Sequence, residues 1–255
     1  MIRFLSRSLL ILLGLVACLP LHYASRLVLR RSSWSRRFLR WSGWAAGLRV
    51  GIEGVPLERD VLFAANHKSW LDILLLGGSA GAAFVSKEEL SRWPVVGWLA
   101  RLNKTVFVAR AERSAVRNQA DALRTALAAG QPVALFPEGT VAEAEDVLPF
   151  RPSLFASLYP PLPRTRVQPV AIDYGAAARE VAWMEGEATL ANARRILSRP
   201  GPMPVTLRFL GPLDPHAAGG RKALAAAAQA EVVAALAASA AGAARLYGRD
   251  EDRRS

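Results

Sequence analysis

The chain has 255 residues, room for one large α/β domain or two small ones and for a sizeable core. Hydrophobic residues make up 52% and the mean hydropathy is +0.17, which excludes a multi-span membrane protein; a single cysteine, Cys18, excludes any internal disulfide and fits a reducing compartment. The net charge of +12 is concentrated: residues 1–52 hold nine arginines and no acid, while the other 203 residues set 24 Lys and Arg against 21 acids. A nucleic-acid-binding domain spreads its excess over the folded body; an excess that flanks an apolar segment points to anionic lipid head groups, not to nucleic acid.

That segment comes first along the chain. Leu9 to Leu21 is an apolar run that includes Gly14 and Pro20. It falls short of the ~20 residues that span a bilayer as a helix. Three readings compete: an export signal with a lipoprotein-like box at Leu15-Val16-Ala17-Cys18, a short transmembrane anchor, or a helix lying in one leaflet with an amphipathic partner. Arg26, Arg30, Arg31, Arg36, Arg37 and Arg40 come almost at once, and positive charge there opposes translocation of the downstream chain. Trp34, Trp41 and Trp44 are interleaved with them, as expected of an interfacial element. The expectation is an anchor of membrane-associated helices over residues 1–47, at the cell membrane, with the body on the cytoplasmic side.

From about residue 48 the texture changes. Leu48–Ile52 alternates like a strand, and Val61–Ala65 is a short apolar run of the kind that fills a buried strand. Ser69 reads as a helix N-cap before Trp70–Leu76, with Gly77-Gly78 as the stop. Ala82–Ser86 predicts a strand, Lys87–Arg92 and Val95–Leu102 predict helical pieces broken at Pro94, and Thr105–Val108 predicts another strand. Ser114–Ala129 is amphipathic, with Val116, Ala120, Leu123 and Leu127 on one face and Gly130 as its stop. Val133–Phe136, Val167–Ile172 and Val205–Leu210 predict further strands. Arg151–Tyr159 reads as helical, and Arg221–Tyr247 as an alanine-rich helix before a charged tail. Short strands alternating with helices predict a single α/β domain over residues 48–215 with a largely buried sheet, followed by a C-terminal helix and tail over 216–255.

Two strings carry the chemistry. Asn66-His67-Lys68-Ser69-Trp70-Leu71-Asp72 follows the strand ending at Ala65, and ligands bind at the carboxyl ends of strands in open α/β sheets. On one regular helix His67 and Asp72 would point about 140° apart. With His67 in the turn and Asp72 in the first helical turn, the carboxylate reaches one imidazole nitrogen and leaves the other to accept a proton. The competing reading is a capping box, with Asp72 satisfying backbone donors ahead of the helix. The second string, Phe136-Pro137-Glu138-Gly139-Thr140, ends a strand and offers a carboxylate, a flexible backbone and a hydroxyl, or simply a turn. Arg110 follows the strand ending at Val108 and suits a phosphate or a surface salt bridge. With two other histidines, His22 and His216, and no cysteine in the body, a metal site has few ligands to draw on.

Together Asn66-His67…Asp72, Phe107-Val108-Ala109-Arg110, Phe136 to Thr140 and Val167-Gln168-Pro169-Val170 resemble, in order, the four blocks of the glycerolipid acyltransferases typified by 1-acylglycerol-3-phosphate acyltransferases, over roughly residues 48–215. The resemblance implies a mixed sheet wrapped by helices, with an acyl-chain tunnel. It implies transfer of an acyl group from acyl-CoA or acyl-carrier protein to the hydroxyl of a lysophospholipid, with no metal or organic cofactor. In it His67 is the general base, Asp72 orients it, and Arg110, Glu138, Gly139, Thr140 and Arg151 bind the polar part of the substrate. The simplest product is phosphatidate. Relatives acting on lysophosphatidate often place Arg after the Thr of the second string, where this chain has Val141 and then the acidic Glu143-Ala144-Glu145-Asp146. Val147-Leu148-Pro149-Phe150 before Arg151 resembles lyso-ornithine lipid acyltransferases, so that acceptor is the alternative. A non-catalytic lipid-binding protein on the same fold is a second alternative, disfavoured by the intact His67–Asp72 pair.

Overall fold

The computed structural model describes residues 1–30, 32–108, 113–141, 147–184 and 186–251. It opens with a long helix, α1 (Ile2–Leu29), which runs through Pro20 and turns back at Arg30 into α2 (Trp34–Ala45). Two indoles fasten this hairpin. Trp34 Nε1–H donates to Ser25 Oγ at 3.0 Å, and Trp41 Nε1–H donates to the Leu10 carbonyl at 2.7 Å. The Trp41 ring fits only because Gly14 has no side chain; a Cβ there would come within 2.1 Å of it.

The body continues as β1 (Leu48–Glu53), β2 (Val61–Ala65), α3 (Leu71–Ala80), β3 (Ala83–Lys87), α4 (Glu88–Ser91), α5 (Pro94–Leu102), β4 (Val106–Val108), α6 (Arg113–Ala128) and β5 (Val133–Leu135). A 3-10 segment at Pro152–Leu158 leads to β6 (Arg166–Asp173), α7 (Ala178–Val181), α8 (Thr189–Ser198), β7 (Met203–Phe209) and α9 (Arg221–Glu251). Among the described residues the sheet has seven strands in the order β1-β7-β6-β2-β5-β3-β4. β6, β2, β5, β3 and β4 are mutually parallel, while β7 pairs antiparallel with β6 and carries β1 parallel to itself. The mixed sheet, flanked by helices in a single domain, matches the expected fold class.

β2 explains why its sequence is one continuous apolar run. Val61, Phe63 and Ala65 face a core shared with α3, while Leu62 and Ala64 face a second core shared with α6 and α9. A strand buried on both faces has no polar side to alternate with. On the α3 side, Leu71, Leu75 and Leu76 are fully buried, each worth about 1.5–3 kcal/mol of burial.

The helical hairpin belongs to this body. α3 lies against α2 so closely that a Cβ on Gly78 would stand 2.8 Å from the Arg40 backbone. Phe4 and Ile11 of α1 pack on the first core, and Arg7 Nη2 donates at 3.0 Å to the Gly201 carbonyl just beyond α8. α9, an appendage by its sequence, buries Leu224, Ala225, Ala228 and Val232 in the second core. The sequence pattern misses α7 and α8, and the segments expected at 1–47 and 216–255 both pack on the body.

Candidate active site

The site is built where β2, β5 and β6 end side by side. These neighbours are parallel, so the segments leaving Ala65, Leu135 and Asp173 emerge together at one edge of the sheet. Asn66 is wholly buried and extends the β2–β6 ladder with its side chain: Nδ2–H donates to the Ile172 carbonyl at 3.0 Å, and Oδ1 accepts the Ile172 N–H at 2.8 Å. The amide lets the chain leave the strand at His67 while the sheet end stays closed.

Asp72, in the first turn of α3, is fully buried and gathers four donors. Oδ2 accepts His67 Nδ1–H at 2.8 Å, the Lys68 N–H at 2.8 Å and the Ser69 N–H at 3.0 Å; Oδ1 accepts the Tyr174 hydroxyl at 2.6 Å. Both sequence readings of this carboxylate therefore hold at once, since it satisfies the turn's backbone donors and also reaches the histidine. An acceptor at Nδ1 places the ring proton there and leaves the Nε2 lone pair open. The His67 side chain keeps 17% of its surface exposed while that of Asp72 keeps none, so the imidazole faces outward and its support is sealed.

Tyr174 is not legible in the sequence as a site residue. It lies just past β6 and is buried; burial and the adjacent Asp72 carboxylate hold its hydroxyl well above the ordinary range, so it remains a donor. The sequence signal is only its place one residue after a strand that ends at the site's edge.

The second string folds under the first. Phe136 stacks on the His67 ring, with centroids 4.0 Å apart and planes 14° apart, and Phe84 of β3 lies at 6.2 Å beyond Phe136. Glu138 is 1% exposed, and both its oxygens are used: Oε1 accepts the His67 N–H at 2.8 Å and Oε2 the Leu148 N–H at 3.1 Å. Glu138, expected from the motif among the substrate-binding residues, here braces the backbone from inside. Its carboxyl is pushed up by burial, against the two N–H donors. Gly139 has φ +74°, and the Arg151 guanidinium lies over it, 3.2 Å from where a Cβ would stand. Thr140 and Arg151 are exposed. His67, Asp72, Gly139, Thr140 and Arg151 thus share one end of the sheet. Arg110 and the acidic stretch 143–146 lie outside the described residues; β4, which Arg110 follows in sequence, ends on this same side.

Beside the site, an apolar cavity of about 330 Å³ lies between the α1–α2 hairpin and the body. Ile11, Leu15 and Leu19 form one wall, Phe38 and Leu39 a second, and Ile73, Leu74 and Leu99 a third. His67 is not in its lining. The link runs through Trp70, which lines the cavity and follows His67 in the same turn, and through the Phe84–Phe136–His67 stack. No group of three His, Cys, Asp or Glu side chains suited to a metal occurs among the described residues.

A sealed carboxylate, an oriented imidazole with one free nitrogen and an adjoining apolar chamber define an α/β scaffold equipped for general-base chemistry on an amphiphile. Similarity to known proteins gives the family. The Acyltransferase family matches residues 48–173. The chain is 35% identical to the lyso-ornithine lipid O-acyltransferase of Rhodobacter capsulatus, across 86% of this chain and 85% of that protein. It is 37% identical to a 1-acyl-sn-glycerol-3-phosphate acyltransferase of Neisseria gonorrhoeae over 44% of each chain. The crystal structure of the 1-acyl-sn-glycerophosphate acyltransferase PlsC from Thermotoga maritima has the same fold, with a TM-score of 0.70, 24% identity, and 92% and 93% of the two chains covered. The chain belongs to the PlsC-like glycerolipid acyltransferase family and is an acyltransferase of the lysolipid-acylating type.

Proposed function

We propose that the protein moves a fatty acyl group from an acyl-CoA or acyl-carrier-protein thioester to the free hydroxyl of lyso-ornithine lipid. The observation that carries the chemistry is the four-donor hold on Asp72, which fixes His67 with Nε2 free. Nε2 takes the proton of the acceptor hydroxyl as its oxygen attacks the thioester carbon. The tetrahedral intermediate collapses, the C–S bond breaks, and the departing thiolate recovers the proton from the imidazolium. No step calls on a metal or an organic cofactor. The thioester's chain extends into the apolar cavity.

The acceptor assignment rests on charge. An ornithine head group carries one carboxylate and one ammonium. Arg151 over Gly139 suits the carboxylate, and a stretch rich in acids at 143–146 suits the ammonium. A phosphate would prefer a second cation where Val141 stands. Similarity along nearly the whole length of a lyso-ornithine lipid O-acyltransferase, against less than half of a 1-acylglycerol-3-phosphate acyltransferase, supports the same choice. Lysophosphatidate, the simplest expectation from the motifs, remains the second reading because the exposed Arg151 suits a phosphate as well.

α1 is long and apolar enough to cross a membrane, yet its first turns are docked to the body through Phe4, Arg7 and Ile11, and its last turns are tied to α2 through Ser25. We infer that it lies along the cytoplasmic leaflet with Leu5, Leu9, Leu12 and Val16 facing lipid. The deciding assay supplies labelled acyl donor with lyso-ornithine lipid or lysophosphatidate in turn. Preferential consumption of the first is expected; consumption of the second alone overturns the acceptor, and consumption of neither by pure protein on vesicles overturns the reading.

A further inference from the structure

The segment after the matched family region contains a second, partly buried polar network, and it ends on the cavity wall. Asn192 of α8 has no exposed surface. Its Oδ1 accepts the indole N–H of Trp70 at 3.0 Å, and its Nδ2–H donates to Glu187 Oε2 at 2.7 Å. Glu187 is gripped in turn by Arg195: Nε–H to Oε1 and Nη2–H to Oε2, both at 2.8 Å. That fork and Asn192 hold the Glu187 carboxyl down to about 2, so it stays charged. Arg195 is anchored by the carbonyls of Glu180 and Ala182. The network therefore fixes Trp70 against a rigid support, with its one polar atom tied away from the apolar space.

Trp70 occupies a particular place. It is the last residue before α3 and lies in the turn between His67 and Asp72, while its ring lines the cavity with Ile73, Leu74 and Phe84. Few side chains touch both the catalytic turn and the chamber. A tryptophan free to rotate there would reshape the chamber wall, while Asp72 keeps its hold through the His67 ring, the Lys68 and Ser69 N–H groups and the Tyr174 hydroxyl, none of which is the indole.

We propose that Trp70 determines which acyl chains enter the cavity, and that Asn192, clamped by Glu187 and Arg195, is the positioning residue that sets its angle. The proposal rests on the cavity being the acyl-donor site. It separates the fixing of chain preference, supplied by residues 180–198, from the fixing of the base, supplied by Asp72 and Tyr174.

The test is a double-mutant cycle on the full-length protein with Trp70→Phe and Asn192→Leu, reading kcat/KM for decanoyl and palmitoyl thioesters. Each single variant should shift the ratio of the two donors by about tenfold, a typical reach for a chain-contacting pocket. Asn192→Leu should add nothing in the Trp70→Phe background, because it acts only through the indole. If Asn192→Leu fails to fold, Glu187→Gln takes its place in the cycle. A parallel fall for both donors, or additive effects, would mean a purely structural role and overturn the proposal. Inactivity of the wild type toward both donors would instead overturn the functional reading.

Discussion

Asp72 shows how one carboxylate serves folding and chemistry together. Its four donors come from a turn, a ring and a distant strand end, so changing one leaves the other three in place. Tyr174→Phe removes only the hydroxyl. It should lower kcat by about tenfold with KM unchanged, and cost about 1–3 kcal/mol of stability for the unmet lone pair. Steady-state kinetics and urea melts check both, and an unchanged kcat would reduce Tyr174 to packing. His67→Ala is the companion variant: it should abolish transfer while the protein stays folded and binds vesicles as the wild type does, at a stability cost of about 1–3 kcal/mol for the donor lost to Asp72. The pairing of His67 with Asp72 is readable from the turn between them. The role of Tyr174 is not, because the 102 residues separating it from Asp72 are bridged only by the folded sheet.

At the scale of elements, the α2–α3 contact is a close approach of two backbones made possible by glycine. Gly77-Gly78 reads in the sequence as a helix stop, yet α3 continues through both to Ala80. Their missing side chains are used sideways, against α2. At Gly78 an added methyl would meet the Arg40 backbone, which cannot yield; at Gly77 it would meet the tip of Leu39, which can rotate. Alanine also favours helix over glycine by about 1 kcal/mol. Gly77→Ala should therefore be nearly neutral, while Gly78→Ala should destabilise by about 1–3 kcal/mol from overpacking. Denaturant midpoints with unchanged slopes would check the contrast, and equal effects would refute it. Strands such as Val61–Ala65 are legible because burial on both faces leaves a plain apolar run. α8 is harder to read, because in Thr189–Ser198 two arginines and an asparagine interrupt the apolar residues; Ile196 and Leu197 reach the core, and the Glu187–Arg195 grip adds a polar hold.

For the whole molecule, charge and apolar surface converge on one side. α1 exposes Leu5, Leu9, Leu12, Leu13 and Val16; α2 adds partly exposed Trp41 and Trp44 and a guanidinium, Arg37, set over Trp34 at 4.4 Å. Apolar insertion resists salt and cationic attraction does not. Flotation with vesicles containing anionic lipid should therefore show binding that weakens as salt rises but does not vanish. Complete release by salt would leave a basic patch alone, and resistance to both salt and carbonate would favour a spanning helix. The apolar run is visible in the sequence. Its docking along the body is not, since that depends on Arg7, which composition presents only as one more positive charge.

Arg7 reaches past the sheet to the carbonyls that close α8, and α8 holds the tryptophan beside the base. The apolar helix α1 is thus a structural member of the enzyme. Clipping it off to obtain a more soluble protein would unroof the chamber at Ile11, Leu15 and Leu19 and loosen the support of α8 in the same stroke. For this molecule, ease of handling in water and an intact apolar chamber are opposed properties of a single stretch of sequence. Purification is better directed at shielding the exposed apolar face of α1 than at removing the helix.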